Sequence, residues 1–409
     1  MNKMPANRII IVVAVLLVAG AIGVGIYFGL QNAKQAIIPG QSSSGTFPVG
    51  GTNQAAGGQG GSQGQSNQQG APTAEEAQTQ KNNLFQLTTN PAAAFWVVSS
   101  TAPSLSGIIH AGVYYLNSKG DVVQIQDVGK EQTVTGSSFG APLRLWQNRD
   151  GSYIVAYFDS GTFALFTLAT KAWRTLPDGT TGVAFSPDGK KLALAKESNG
   201  RTTLSSMNLG AARQTVTPIT SLAVVDVVIS WPSPNRIFMV SRPASGVDGQ
   251  AWYVDVQTKS LNYFGHGDGL QLFFSQASPY AAGQLVAGSD GSTAQMTFLD
   301  AGGATLSTMQ FSTIVDKCAF ATNGAQVFCA LPRENDGGPH INLLNDYLQG
   351  GVYFHDSLYR MSGKDFSAIT PLLTASDVNL DMVYFWPTPT QLFFMNRLDH
   401  TIYLYNLSS

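Results

Sequence analysis

Two 17-residue segments of this chain repeat each other at a constant offset of 155 positions: DVVISWPSPNRIFMVSR, Asp226 to Arg242, and DMVYFWPTPTQLFFMNR, Asp381 to Arg397. Seven positions are identical, among them Trp231/Trp386, Pro232/Pro387, Phe238/Phe393 and the end residues Asp226/Asp381 and Arg242/Arg397. The unit is an apolar strand, a short turn of Pro, Asn, Asp or Gly, and a second apolar strand. It recurs more weakly in LRLWQNRDGSYIVAYF, GVAFSPDGKKLALA, LFFSQASPYAAGQLVAG and KCAFATNGAQVFCALP. The aromatic positions 146, 185, 231, 274, 320 and 386 lie 39, 46, 43, 46 and 66 residues apart. Hairpins repeating every 40–50 residues or so have the period of four-stranded propeller blades. Six hairpins and an earlier unit around Phe95 to Gln126 predict an all-β, seven-bladed β-propeller over residues 83–409. A pair of β-sandwiches is the alternative, and it leaves the period unexplained.

The chain ends carry a second signal. The last unit supplies three strands, VYFW, QLFFM and TIYLYNL, and lacks a fourth, whereas Leu84-Phe85-Gln86-Leu87-Thr88 precedes the first blade as an unpaired strand. Pairing the two would close the ring and remove its exposed edges. The 66-residue step has its own cause, an insertion between Arg333 and Gly351 with a short helix expected over Ile341 to Leu348. Insertions of this kind map to one face of a repeat array, often the binding face. Arg333, His340, Asn345 and Tyr347 are therefore the candidate binding residues.

Ahead of the repeats, Ile9 to Leu30 is an apolar run with no ionisable group, long enough as a helix to cross a hydrocarbon core of ~30 Å. It is too long for a signal-peptide core and lacks a good small-residue cleavage site, so it reads as a single transmembrane signal anchor at 9–30. Lys3 and Arg8 hold residues 1–8 in the cytoplasm by the positive-inside bias, which places the C-terminal domain outside the cell membrane. Ala21, Gly25 and Gly29 form a small-xxx-small face that could pair two helices into a homodimer, although glycine is common in such spans. Residues 31–82, rich in Gly, Gln and Ser, cannot bury enough surface to fold and are expected to be a disordered linker spanning ~40 Å on average.

The two cysteines belong to no metal-ligand pattern. Folding the segment 318–329 about Asn323-Gly324 as a two-residue type I′ turn sets Cys318 directly opposite Cys329. That count puts the pair at a hydrogen-bonded position, with a Cα separation of about 5.5 Å. A disulfide there would fit an oxidising compartment, and two buried free thiols are the alternative.

Phe185-Ser186-Pro187-Asp188-Gly189-Lys190-Lys191-Leu192-Ala193 resembles the strand-turn-strand core of WD-repeat-like propellers, including the TolB-type repeat and the N-terminal propeller of dipeptidyl peptidase IV. The motif covers one blade well and the others loosely, and the Gly-His and Trp-Asp dipeptides of the eukaryotic repeats are absent. The resemblance implies an interaction platform, although a shared fold does not transfer function.

Other chemistry is sparse. His110, His266, His340, His355 and His400 are scattered without HExxH spacing, and no G-x-S-x-G elbow, P-loop, dinucleotide fingerprint or calcium loop appears. Gly265-His266-Gly267-Asp268-Gly269 reads as a turn. Asp226 and Asp381, at matching repeat positions, are candidates for paired carboxylates at a central pore, but repeat-equivalent residues more often make the same structural contact in each blade. A net charge of -2 and the absence of any Lys/Arg run argue against nucleic acid. The sequence thus predicts a non-enzymatic, membrane-anchored, extracytoplasmic module without a cofactor or metal, binding a protein or an envelope polymer. A glycan-active or other hydrolytic propeller and a structural envelope spacer are the rival readings.

Overall fold

Turn chemistry sets the blades. In Asn148–Gly151, Ser186–Gly189 and Ala321–Gly324, the glycine N–H donates to the carbonyl of the first residue. The Asp or Asn before the glycine accepts, through Oδ1, the N–H two residues on: Ser152, Lys190 and Ala325 in turn. Gly151, Gly189 and Gly324 all take positive φ, where a side chain is disfavoured. The same dipeptide chemistry therefore reverses the chain at the same point of blades 2, 3 and 6.

The computed structural model describes residues 82–98, 106–210, 215–275, 282–287, 294–300, 303–311, 313–333, 343–362, 369–375 and 378–407. These form seven four-stranded antiparallel sheets. Their first strands are Ala94–Val98, Pro142–Gln147, Thr180–Phe185, Val227–Ser233, Gln271–Phe274, Cys318–Phe320 and Met382–Pro387, here numbered as blades 1 to 7. First strands of successive blades adjoin one another, so they line the axis, and the later strands of each sheet lie outward. Blade 7 takes its outermost strand from the other end of the described chain: Leu84–Gln86 pairs with Ile402–Asn406, with Leu84 opposite Tyr405 and Gln86 opposite Tyr403. This is a β-propeller closed between the two ends of the domain.

The apolar core is divided in the same way. Trp96 and Phe166 fill the gap between blades 1 and 2, Val155 and Leu192 that between 2 and 3, and Ile229 and Leu204 that between 3 and 4. Blades 4 and 5 meet through Val240 and Leu270, 5 and 6 through Phe298 and Phe320, and 6 and 7 through Leu358 and Phe394. Phe95, Val97, Phe393 and Leu404 close blade 7 on blade 1. Each sheet is covered on both faces by its neighbours, which is why its strands read as apolar runs.

Cys318 faces Cys329 and the two form a disulfide, with Cα atoms 4.2 Å apart. The spacing is that of a non-hydrogen-bonded pair, not the hydrogen-bonded one expected. The turn explains the difference: Asn323 is absent from the positive-φ residues, so no type I′ turn forms, and the loop closes instead on Ala321 N–H to Gln326 O. Moving the closing bond by one pair inverts the alternation along the hairpin.

Among the described residues no helix is long and apolar enough to cross a membrane. The span Ile9 to Leu30, the linker 31–81 and His340 lie outside the described residues.

Candidate functional site

The insertion after Arg333 does not hang free. Its described helix is Leu343–Leu348, and positions 341 and 342 of the expected helix lie outside the described residues. Leu344 and Tyr347 are buried in the cluster that joins blades 7 and 1. Asn345 Oδ1 accepts the N–H of Ser245, in the loop between the second and third strands of blade 4. Tyr347 lies on Arg397 of blade 7, ring centroid 3.8 Å from the guanidinium carbon. Blades 4 and 7 stand nearly opposite in the ring, so a helix about 9 Å long bridges them across one mouth of the axis.

Two of the four insertion residues face the rest of the domain. Tyr347 is a packing residue, 5% exposed and stacked on Phe354, and Asn345 ties the insertion down. Arg333 is exposed, its N–H donating to His355 O.

Beneath the helix is a charge network that sequence reading missed. Lys317, Asp356 and Asp381 are each fully buried. Lys317 Nζ donates to Asp356 Oδ2 and, at 2.6 Å, to Asp381 Oδ1. Asp381 Oδ2 accepts from Phe354 N–H at 3.2 Å and from Arg397 Nη1 at 3.2 Å, and Asp356 Oδ2 accepts Met382 N–H at 2.6 Å. The rings of Tyr347 and Phe354 cover the ammonium at 5.2 and 5.6 Å. Burial pushes the Asp356 carboxyl up to about 6 despite the lysine, with the nearby Asp381 charge adding to the rise. Burial likewise pushes the Tyr347 phenol up. Two buried polar atoms here have no partner, Asp356 Oδ1 and the Tyr347 hydroxyl. The residue types gave no clue: a lysine before a strand and two aspartates far apart in sequence meet only because blades 6 and 7 adjoin.

Four further side chains lie on or beside the first strands of three blades. Asp316 precedes the first strand of blade 6, Arg144 lies on that of blade 2, and Tyr384 and Arg397 belong to blade 7. Asp316 is half-buried and its carboxyl is pushed up by burial, against the opposing pull of Arg144, Arg397 and Lys317. Tyr384 is 51% exposed, yet its phenol is pushed up to about 12, first by burial and then by the Asp316 charge. A side chain that touches water but is enclosed by protein atoms on all sides stands in a channel, which reconciles the two observations. Tyr384 holds φ at 57°, rare for a bulky residue. The cause is a β-bulge in which Tyr384 and Phe385 together oppose Phe394, between the pairs Val383–Met395 and Trp386–Phe393. Bulges re-aim side chains, and this one turns a phenol toward the axis. Tyr353, 50% exposed, flanks Arg397 at 4.9 Å. The exposed side chains of Leu348 and Leu398 sit beside Tyr347 and Arg397 in the chain.

The remaining candidates are structural. Asp226 is exposed and pairs with Arg242, and Asp381 pairs with Arg397, so the two repeat aspartates make the same contact and are not brought to one cleft. Trp231 is buried between blades 3 and 4, and Trp386 packs between 7 and 1. His266 pairs with Asp248 on the surface. No group of three or more His, Cys, Asp or Glu able to hold a metal occurs among the described residues. A cavity of about 370 Å³ lies against blade 1, but its carboxylate, Glu131, is taken up by Asn90, Thr89 and Tyr115, and it fastens the closing segment.

No protein-family model matches the chain, and no curated protein matches it in sequence. Solved structures do resemble it. The Swd1 β-propeller domain of Myceliophteria thermophila aligns with a TM-score of 0.51 at 12% identity, covering 80% of this chain and all of that domain. TolB from Acinetobacter baumannii aligns at 0.41 and 16% identity over 68% of this chain and 62% of TolB. Hydrazine synthase of Kuenenia stuttgartiensis aligns at 0.49 and 13% identity over 67% of this chain and 79% of that one. The likeness to the Swd1 domain supports a WD-repeat-like propeller architecture; at such identity it concerns the fold alone.

Proposed function

We propose that this propeller is the head of a membrane-anchored, extracytoplasmic binding module, which engages a protein or envelope polymer through the mouth that the helix Leu343–Leu348 crosses. The observation that carries the reading is the composition of that mouth. Tyr353, Tyr384, Leu348 and Leu398 are exposed within one neighbourhood that also holds Arg144 and Arg397. Tyr and Arg are the residues most enriched at binding hot spots. A strained Tyr384, turned toward the axis by a bulge, supports function over packing, because packing alone would favour a relaxed strand. The Cys318–Cys329 disulfide supports an oxidising compartment, and the apolar run Ile9 to Leu30 supports the anchor.

The test compares full-length protein with a Tyr353→Ala/Tyr384→Ala variant, each tagged at the C-terminus, crosslinked in its own cells and purified. A specific protein or polymer recovered with the first and lost with the second supports the reading. Identical recoveries, or none from either, would overturn it.

A further inference from the structure

We propose that the outermost strand of blade 5, Thr305–Phe311, is a pairing edge that joins two copies of this chain, strand to strand and antiparallel about a two-fold axis. The surface lies on the rim of the ring, apart from the mouth and its ligand.

Closing the ring leaves seven outward edges, because the outermost strand of each sheet is hydrogen-bonded to a neighbouring strand on one side only. Such an edge is a template for another chain, and proteins blunt it with charge, proline, a bulge or brevity. Six of the seven are blunted by residue type or length. Blade 1 carries Lys130 and Glu131, and blade 2 ends in a strand of four residues that holds Arg174. Blades 3 and 6 have Pro218 and Pro371, each of which removes a backbone donor. In blade 4 the strand Leu261–Asp268 ends in a charge, is bulged at Phe264 and is weakened by Gly265 and Gly267. The edge of blade 7, Leu84–Gln86, is three residues long. Blade 5 differs from all of these. Its strand, TLSTMQF, has no charge, proline or glycine. A bulge at Leu306 interrupts only its start, and Ser307 to Phe311 then lie in unbroken register with Phe298 to Ala294. Among the described residues no strand pairs with its outer side.

The chemistry of the edge selects its occupant. A row of unpaired N–H and C=O groups is matched in full only by another extended backbone. A strand that is already folded meets that need without the ordering entropy a loose peptide would lose. The same strand in a second copy is extended, uncharged and free of proline, so no like charges meet and no ladder bond is missing. A two-fold axis gives it the same contacts in both copies. The side chains agree with this pairing. Thr308 is exposed, and its hydroxyl lies 3.4 Å from that of Thr297 on the neighbouring strand. With the axis near Thr308, a second Thr308 extends this threonine ladder across the joint, a favourable cross-strand pair. Leu306 offers apolar surface beside it, 48% exposed. Met309 packs inward on the core between blades 5 and 6 and holds the strand in place.

The experiment places a benzophenone side chain at position 308 of the full-length protein and co-expresses two copies that carry different tags. Irradiated cells are expected to yield an adduct holding both tags, mapped by mass spectrometry to residues 294–311 of the second copy. Leu306→Lys gives the edge the charge it lacks and should reduce that adduct roughly tenfold or more. Thr217→Lys, on the edge that Pro218 already blunts, should leave it unchanged. Near-UV circular dichroism of both variants checks that the fold is kept. An adduct with a different protein, an adduct elsewhere on the second copy, no adduct, or one indifferent to Leu306→Lys overturns the proposal.

Discussion

Blades 4 and 7 begin with the same 17-residue repeat and use it differently. In blade 4 the first strand pairs regularly through Ile229–Met239 and Ser230–Phe238, and its bulge comes later, before Ser233–Arg236. In blade 7 the bulge comes two residues earlier. Ile229 is consequently buried between blades 3 and 4, whereas its counterpart Tyr384 is turned into the channel. The flanking ion pairs diverge as well. Asp226–Arg242 is exposed at the rim, while Asp381–Arg397 is drawn inward by Lys317 and capped by the insertion helix. A structural repeat becomes a site when one bulge slides and one neighbouring blade contributes a lysine.

The largest difference should come from the ion pairs. Lys317→Met leaves two buried carboxylates facing each other and is expected to cost about 3–5 kcal/mol in urea unfolding. Arg242→Met in blade 4 should stay within about 1 kcal/mol, as exposed pairs do. Equal losses would mean that the two repeats are not differently built.

Next comes the bulge position. Ile229→Ala should cost about 2–5 kcal/mol by opening a cavity. Tyr384→Gly should be neutral or stabilising by up to about 1 kcal/mol, since it relieves a left-handed residue whose side chain is half exposed. A large loss at Tyr384 would show that the phenol is a packing residue. Replacing both cysteines by alanine, in blade 6 between the two repeats' ends, should cost about 2–3 kcal/mol for a loop of this length. Calorimetry with and without reductant checks it: reductant should lower the melting temperature of the parent and leave the double variant unchanged.

The smallest effect is a pH slope from Asp356, the buried carboxylate that blade 6 sets against blade 7. The folded carboxyl of Asp356, at about 6, lies above its ordinary value, so its contribution is complete below about pH 4 and is lost as pH rises through 6. Asp356→Asn cannot titrate. The stability of the parent relative to this variant should therefore fall between pH 4 and 7. Other carboxylates, such as Asp188, are held below their usual range by hydrogen bonds and act in the opposite sense, so the difference between proteins is the quantity to read.

The repeat period, the hairpins and the closing strand were legible because each is local or recurs. Apolar alternation, Asn-Gly or Asp-Gly turns and the missing fourth strand of the last unit suffice to pair the segment at Leu84 with the last strand, while the register, Leu84 opposite Tyr405, is seen only in the structure. The cysteine pairing was legible for the same reason, although its parity was not, since one backbone hydrogen bond at Ala321 decided it. The site was largely hidden. Asp316, Lys317 and Asp356 carry no motif, and Tyr384 occupies a position that blade 4 fills with isoleucine, so only the slid bulge reveals it. Tyr347 was noticed for its place in the insertion, and its burial follows from a docking that the strand pattern does not encode.

The central claim, that the mouth crossed by the insertion is where this head meets its ligand, can be read by site-specific photo-crosslinking in living cells. A benzophenone side chain replaces Tyr384, Tyr353 or, as a control, the exposed Tyr263 on the outermost strand of blade 4. The account predicts a discrete adduct from positions 384 and 353 and none from 263. Adducts from 263 alone, or the same adducts from all three, would contradict it.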